Sequence, residues 1–160
     1  MVEKTNSMRF LDSRKVAYQV HEFSPDIHSA DGVAEALGFP PGEVYKTLVV
    51  MPPQGNRPLL VVVPGDRELD LKLLGKSLGQ KGFRMATQKE AESQTGLLVG
   101  GISALALVNK PFAVYVDQSA QALTEFVVSA GKRGINLRLR VDDFMKVTRA
   151  TRVEATRSSD

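Results

Sequence analysis

The sequence contains no cysteine and no tryptophan, and only two of its 160 residues are histidine. Without cysteine there is no disulfide framework, no thiolate metal site and no cysteine nucleophile. The two histidines, His21 and His28, argue against a Ser-His-Asp triad. The sequence also lacks an HExxH motif, a clustered metal-ligand spacing, a P-loop and a nucleophile elbow. Any chemistry is therefore expected to use lysine, backbone donors or groups of the substrate, with no metal or cofactor.

Long apolar segments are absent as well. The longest apolar run, residues 97–108, is interrupted by glycine and is too short to span a bilayer. The first nine residues lack the apolar core of a signal peptide. Hydrophobic and charged fractions of 42% and 24% are typical of a folded protein. We expect a cytoplasmic protein with no membrane segment, built as a single domain over residues 1–160, with its core at about 8–150. Residues 149–160 are polar and expected to be frayed.

The apolar spacing predicts short helices alternating irregularly with strands. Helices are predicted over residues 5–15, 31–37 and 70–78, from a capping box at 87, and from 142 or 143 to 147. Strands are predicted over residues 16–23, 43–51, 59–63, 83–86, 112–116, 125–129 and 135–141. Residues 97–108 are interpreted as a buried loop with strand pieces. The hairpin-length connections indicate an α/β fold of the α+β type, with a mixed, mostly antiparallel sheet, curled or barrel-like, and helices outside.

Three segments are candidates for function, and the first contains Lys46. In a strand, Lys46 shares a face with Val44, Leu48 and Val50. It is either a lysine at the rim of the sheet, with its ammonium in water, or a cation at a pocket that stabilises a carbonyl oxygen or a phosphate.

The second segment is the glycine pair Gly100-Gly101, followed by Ile102 and Ser103. Adjacent glycines let a backbone approach a ligand closely, and their N–H groups can form an anion-binding nest. A bulge or tight bend in a buried strand explains the same pair equally well.

The third segment, residues 129–134, contains Ser129, Lys132 and Arg133 between two predicted strands. It is either a solvated basic hairpin turn or a phosphate contact, for example to RNA. The net charge of +3 permits a polyanionic partner without requiring one. In the following strand, alternation directs Ile135, Leu137 and Leu139 inward, and it directs the side chains between them, beginning with Asn136, outward.

These segments occur together, in order, in a known family. Residues 44–48 (Val-Tyr-Lys-Thr-Leu), 96–103 (Gly-Leu-Leu-Val-Gly-Gly-Ile-Ser) and 129–134 (Ser-Ala-Gly-Lys-Arg-Gly) resemble the YbaK/EbsC family. Its members are free-standing relatives of the editing (insertion) domain of bacterial prolyl-tRNA synthetase. The resemblance runs from about residue 8 to 150, and residues 66–78 also look like the family's central segment.

The resemblance implies an aminoacyl-tRNA deacylase that clears mischarged tRNA in trans. Its substrate would be mischarged aminoacyl-tRNA, most of all Cys-tRNA(Pro), with Ala- or Ser-charged tRNA as the alternative, and prolyl-tRNA synthetase is a possible partner. Lys46 matches the family's essential lysine, and Ser129 matches a pocket serine. Gly100 and Gly101, with Ile102 and Ser103 after them, match the glycine loop that lines the pocket. In the YbaK branch the cysteinyl thiol is thought to attack its own ester, leaving a thiolactone.

Three positions depart from the family pattern. The glycine loop continues with Ala104 where the family has proline, Asn136 replaces a pocket aspartate, and Phe23 stands at the place of a pocket tyrosine. These departures concern the choice of amino acid more than the fold. A rival hypothesis remains, in which the same fold serves as a non-catalytic nucleic-acid-binding or regulatory module. Lys46 on an otherwise apolar strand face favours the enzyme.

Overall fold

The computed structural model describes residues 3–55 and 57–158, which form five α-helices and ten β-strands. The helices are α1 (Asn6–Ser13), α2 (Ala30–Leu37), α3 (Leu71–Leu78), α4 (Gln88–Thr95) and α5 (Val141–Thr148). The strands are β1 (Tyr18–Glu22), β2 (Tyr45–Met51), β3 (Leu59–Pro64), β4 (Arg67–Leu69), β5 (Arg84–Met85), β6 (Ala113–Asp117), β7 (Glu125–Lys132), β8 (Ile135–Arg140), β9 (Thr151–Val153) and β10 (Thr156–Ser158).

The strands form three sheets. The largest has the order β5-β2-β3-β6-β9, a second has the order β1-β8-β7, and β4 pairs with β10. Strands β2 and β3 are antiparallel neighbours, as their short connection predicts, whereas β3–β6 and β6–β9 are parallel. A bridge between Val44 and Val127 joins the two larger sheets. The predicted mixed, mostly antiparallel α/β fold is confirmed, although the described strands do not close into a barrel.

The main core lies between the two larger sheets. Tyr45, Leu60 and Val62 of the five-stranded sheet pack with Phe126 and Leu137 of the three-stranded sheet, all buried. Helix α3 covers the far face of the large sheet, where Val50, Val61 and Leu74 are buried. Helix α2 covers the far face of the small sheet, above Val127. Both faces of the small sheet are therefore covered in part, which buries Asn136 although the alternation predicts that it points outward.

The prediction of a frayed C-terminal segment is wrong for the residues that the structure describes. Residues 151–158 supply β9 and β10, while residues 159 and 160 lie outside the described part. The buried Asp117 carboxylate holds this segment in place. It accepts from the Ala155 N–H and the Thr156 hydroxyl, each at 3.0 Å. This partner is 38 residues away in sequence, so local polarity could not reveal it.

Several local predictions differ in detail from the structure. Helix α2 is capped by Ser29, whose hydroxyl accepts from the Gly32 N–H, and not by Asp31. Helix α5 begins after Arg140 without a side-chain cap, where an aspartate cap was expected. Residues 97–108 form a loop with a 3₁₀ turn at Leu105–Leu107 and contain no strand. None of the helices in the described ranges is long and apolar enough to cross a membrane.

The capping box that opens α4 is confirmed. The Thr87 hydroxyl accepts from the Glu90 N–H at 3.1 Å, and the Glu90 carboxylate accepts from the Thr87 N–H at 2.9 Å. Both carboxylate oxygens of Glu90 also accept from the Arg84 guanidinium, at 2.7 and 2.8 Å. The Arg84 guanidinium and the Thr87 N–H lower the pKa of Glu90 from 4.5 to about 2.

We predict that Glu90→Gln lowers the Tm by an amount that depends on pH. Because the pKa of Glu90 is lower in the folded protein than in the unfolded chain, the ionised carboxylate stabilises the fold above about pH 4.5. That contribution disappears as the pH falls through about 2. Thermal melts at several pH values should show a difference between wild type and variant that shrinks towards low pH. A difference of constant size would contradict this account of Glu90.

Candidate functional site

A cleft of about 280 Å³ lies where the two larger sheets meet. Its lining comes from segments far apart in the chain. Val44 and the first five residues of β2 form one wall of the cleft. His28 and the start of α2 form another. Residues from the glycine loop close one end, and Ser129 and Asn136 of the small sheet form the base. Met85 lies at the rim, with 41% of its surface exposed.

Five of the residues singled out from the sequence border this cleft, and five do not. Those that border it are Lys46, Gly100, Ile102, Ser129 and Asn136. Those outside its lining are Phe23, Gly101, Ser103, Lys132 and Arg133. The fold thus brings together one or more residues from each of the three candidate segments.

Lys46 lies at the start of β2 with its side chain exposed. It shares a strand face with Val44 and Val50, as the alternation predicts, and both of these neighbours are buried whereas Lys46 is exposed. No ion pair involves Lys46 among the residues that the structure describes. Its ammonium group is therefore free to approach an anion or a polarised oxygen at the mouth of the cleft.

Strand β2 also presents a backbone edge to the cleft. In an antiparallel ladder, successive residues direct their N–H and C=O groups alternately to the two sides of the strand. The Val44 carbonyl accepts from the Gly65 N–H on the β3 side, whereas the Val49 carbonyl accepts from the Ala86 N–H on the β5 side. Thr47 lies two residues before Val49, so its N–H and C=O point to the same side of β2 as those of Val49. On that side, β5 pairs with just the last two residues of β2. The Thr47 N–H and C=O therefore face the cleft.

Ser129 and Asn136 are directly opposite each other on β7 and β8. A β-bulge follows Ser129. The Ser129 hydroxyl accepts from the Gly131 N–H at 3.1 Å. The hydroxyl proton remains available for an acceptor in the cleft. Asn136 is 5% exposed, and its amide offers both a donor and an acceptor at the base of the cleft.

The two glycines of the loop are required for different structural reasons. Gly100 has φ = 95°, a conformation that favours glycine, and a side chain there would meet the His28 ring at about 3.2 Å. A side chain at Gly101 would meet the backbone of Lys132 and Arg133 at 3.0–3.3 Å. The loop and the turn between β7 and β8 therefore touch backbone to backbone, and this contact positions Gly100 at the cleft.

Polar contacts from two sides hold the same loop at Val99. The Glu92 carboxylate of α4 accepts from the Val99 N–H at 2.8 Å. The Arg133 Nε–H donates to the Val99 carbonyl at 2.7 Å. Arg133 is thus engaged by the glycine loop, whereas its neighbour Lys132 is exposed. No local sequence pattern distinguishes these two adjacent basic residues.

The remaining predicted residues lie behind or beside the cleft. Phe23 packs with the residues around α2, and its N–H donates to the Gly134 carbonyl at 3.0 Å. Ser103 and Ala104 are each 2% exposed and support the loop from beneath. Of the three departures from the family pattern, Asn136 alone is in the cleft lining as described.

His28 and Tyr45 line the cleft although the sequence analysis did not single them out. The His28 Nε2 lies 3.0 Å from the Pro25 carbonyl, which directs the ring against Gly100. Burial raises the pKa of Tyr45 to about 12, and its hydroxyl bonds to that of Ser119 at 2.8 Å. Tyr45 is therefore neutral at physiological pH and shapes the wall of the cleft. Among the described residues, no three His, Asp or Glu side chains lie close enough to hold a metal ion.

We predict that Arg133→Ala and Lys132→Ala differ in stability although each removes one positive charge from the same turn. Arg133→Ala loses a bond from a charged donor to the Val99 carbonyl and should lower the free energy of unfolding by about 1–3 kcal/mol. The exposed Lys132→Ala should change it by less than about 0.5 kcal/mol. Urea unfolding of both variants measures the difference. Equal losses would show that the Arg133–Val99 bond does not hold the loop.

Comparisons with known proteins agree on one family. A family model described as an aminoacyl-tRNA editing domain matches residues 24–147. The chain is 40% identical over 158 residues to EbsC of Enterococcus faecalis, which is named as a candidate Cys-tRNA(Pro)/Cys-tRNA(Cys) deacylase. That alignment covers 96% of this chain and 94% of EbsC.

Two further similarities extend this picture. The proline–tRNA ligase of Chlamydia abortus is 27% identical over 106 residues, which span 65% of this chain and 18% of the ligase. The chain therefore corresponds to a small part of that ligase. A crystal structure described as a candidate trans-editing enzyme for prolyl-tRNA synthetase superimposes with a TM-score of 0.80 at 24% identity. It covers 98% of this chain and all of the other, and it supports the fold.

Proposed function

The chain belongs to the aminoacyl-tRNA editing domain family, and on that basis we propose that it deacylates mischarged aminoacyl-tRNA in trans, as a single editing domain. The observation that carries this proposal is the cleft in which Lys46, the glycine loop and the Ser129–Asn136 pair meet. Aminoacyl-tRNA is a substrate of the cytoplasm, and we place the enzyme there.

The size of the cleft suits a small aminoacyl ester. Its volume of about 280 Å³ is at the lower end of the range for small-molecule pockets, which is about 300–1,000 Å³. A small amino acid with its ester group fits such a space, while the tRNA body stays outside. The similarity to EbsC favours Cys-tRNA(Pro) as the preferred substrate, with Ala- or Ser-tRNA as the alternative. Prolyl-tRNA synthetase is the proposed partner, since it supplies the mischarged tRNA.

The groups around the cleft can stabilise the charge that develops on an ester. Attack on the ester carbonyl creates an oxyanion, and fixed donors aimed at that oxygen lower the barrier. The Lys46 ammonium group and the Thr47 N–H are the donors on the β2 side, and the Ser129 hydroxyl is a third on the opposite side. None of them needs to act as a nucleophile.

For a cysteinyl ester, the nucleophile belongs to the substrate. The cysteinyl sulfur bonds to its own carbonyl carbon, and the bond from that carbon to the ribose oxygen breaks. The thiol proton ends on the ribose oxygen, so the products are a cyclic thiolactone and uncharged tRNA. The cleft contributes by holding the ester in a reactive geometry and by neutralising the oxyanion. This mechanism needs no cysteine in the enzyme, consistent with the absence of cysteine from the chain.

We predict that Lys46→Ala lowers the rate of deacylation roughly 10²-fold or more, because the oxyanion loses its cation. Single-turnover kinetics with Cys-tRNA(Pro) measure the rate. Lys46 is exposed and forms no ion pair with any residue that the structure describes, so the fold should remain intact, as a thermal melt can verify. Lys110→Ala is the matched control, because Lys110 is equally exposed and lies outside the cleft lining. A folded Lys46→Ala protein with near-wild-type activity would remove Lys46 from the mechanism.

We predict that Ala104→Pro combined with Asn136→Asp shifts the substrate preference towards cysteine. Asn136→Asp places a carboxylate at the base of the cleft. Ala104 already has φ = −62°, the value that proline requires, so proline at this position stiffens the loop. Pocket changes of this size alter discrimination by about 1–3 kcal/mol, which corresponds to roughly tenfold or more in the ratio of Cys- to Ala-tRNA deacylation. Each single variant should be assayed beside the pair. An unchanged ratio in all three would show that these positions do not set specificity.

A further inference from the structure

A second concavity lies on the far side of the large sheet, between α3 and the segment that leads into β5. Its volume is about 1040 Å³, and three lysines line it: Lys72, Lys76 and Lys81. We call it the lysine groove. All three side chains are exposed, and Lys72 and Lys76 are one helical turn apart on α3.

The positive charge of the lysine groove is not neutralised within the described part of the chain. The ion pairs of the described residues involve other side chains, so none of the three lysines has a carboxylate partner. The acidic residue that lines the groove, Asp70, accepts from the Leu73 N–H at 3.0 Å and caps α3. Like charges four residues apart on a helix repel each other. A polyanion in the groove would relieve that repulsion.

The lysine groove is open beside Gly79, at the end of α3. Gly79 ends α3 with φ = 72°, and no atom lies within 4 Å of the position that a Cβ would occupy there. Beside it, Phe83 is 8% exposed and closes the base of the groove against the sheet. The surface beside Gly79 is therefore open, and Lys76 in the last turn offsets the partial negative charge at the C-terminal end of α3.

The groove and the cleft are neighbours along β5. Phe83 lines the groove, and Met85, two residues later, is at the rim of the cleft. An extended strand rises about 3.3 Å per residue, so Phe83 and Met85 are about 7 Å apart along the chain. Strand β5 is at the edge of the large sheet, and a nucleic acid strand that passes this edge can contact both sites.

We propose that the lysine groove binds the phosphate backbone of the tRNA acceptor end whose aminoacyl ester occupies the cleft. This inference rests on the proposed function, and it names a tRNA contact different from the turn at Lys132 and Arg133. Phosphates of a nucleic acid supply the regularly spaced negative charges that the three lysines lack within the protein.

The experiment measures the binding of uncharged tRNA(Pro) by fluorescence anisotropy over a series of salt concentrations. The groove variant is Lys72→Ala/Lys76→Ala. The matched control is Lys110→Ala/Lys146→Ala, which removes the same charge, and Lys146 lies in the last turn of α5 as Lys76 does in α3. Each lost phosphate contact reduces the slope of log K against log salt by about 0.7–0.9. The groove variant should therefore bind several-fold more weakly, with a slope smaller by about 1.5, while the control matches wild type.

Two results would overturn the proposal. Equal affinities and slopes in the groove variant and the control would overturn the proposal. Intact tRNA binding by the groove variant, with loss of binding to purified prolyl-tRNA synthetase, would overturn it in favour of a protein partner. Uncharged tRNA is not a substrate for deacylation, so this binding measurement does not depend on catalysis. If the enzyme hydrolyses none of the tested esters, that result counts against the proposed function and not against the lysine groove.

Discussion

The close contact between the glycine loop and the turn that joins β7 to β8 is the constraint on which the cleft depends. At Gly101 the two backbones approach so closely that a single methyl group would require one of them to move. The hydrogen bonds of Val99 to Glu92 and Arg133 hold the loop from both sides. The Gly101 N–H of the loop itself donates to the Leu98 carbonyl at 2.8 Å, so the loop fixes the wall of the cleft, while the proposed donors come from β2 and β7. Preorganised groups need no rearrangement during the reaction.

The cleft is completed by an edge of β2 that has no neighbouring strand at Thr47. Free strand edges are usually blunted in folded proteins, since they invite pairing with other chains. Here the edge faces a cleft of small volume, with Lys46 at its entrance. An edge enclosed in this way can offer its N–H and C=O groups to a small ligand and remain inaccessible to another strand. The absence of cysteine is consistent with a site that uses the reactive group of its substrate.

The sequence predicted those features that depend on local spacing. The capping box at Thr87, the β2–β3 hairpin and the alternation of β8 follow from residues close together in the chain, and they are present. The caps of α2 and α5 are local errors, whereas two larger errors come from contacts between distant segments. Asn136 is buried although it alternates with the core residues Ile135 and Leu137, and Asp117 orders the C-terminal strands from 38 residues away. Resemblance to a family indicated candidate site residues, but not which of them border the cleft.

The most direct test of the account is a deacylation panel with Cys-, Ala-, Ser- and Pro-tRNA(Pro), with and without prolyl-tRNA synthetase. The account predicts that the wild-type enzyme clears at least one of the three mischarged tRNAs well above the uncatalysed rate, fastest for Cys-tRNA(Pro), and spares Pro-tRNA(Pro). If no mischarged tRNA is cleared above the uncatalysed rate under either condition, the cleft is not an editing site and the account is wrong.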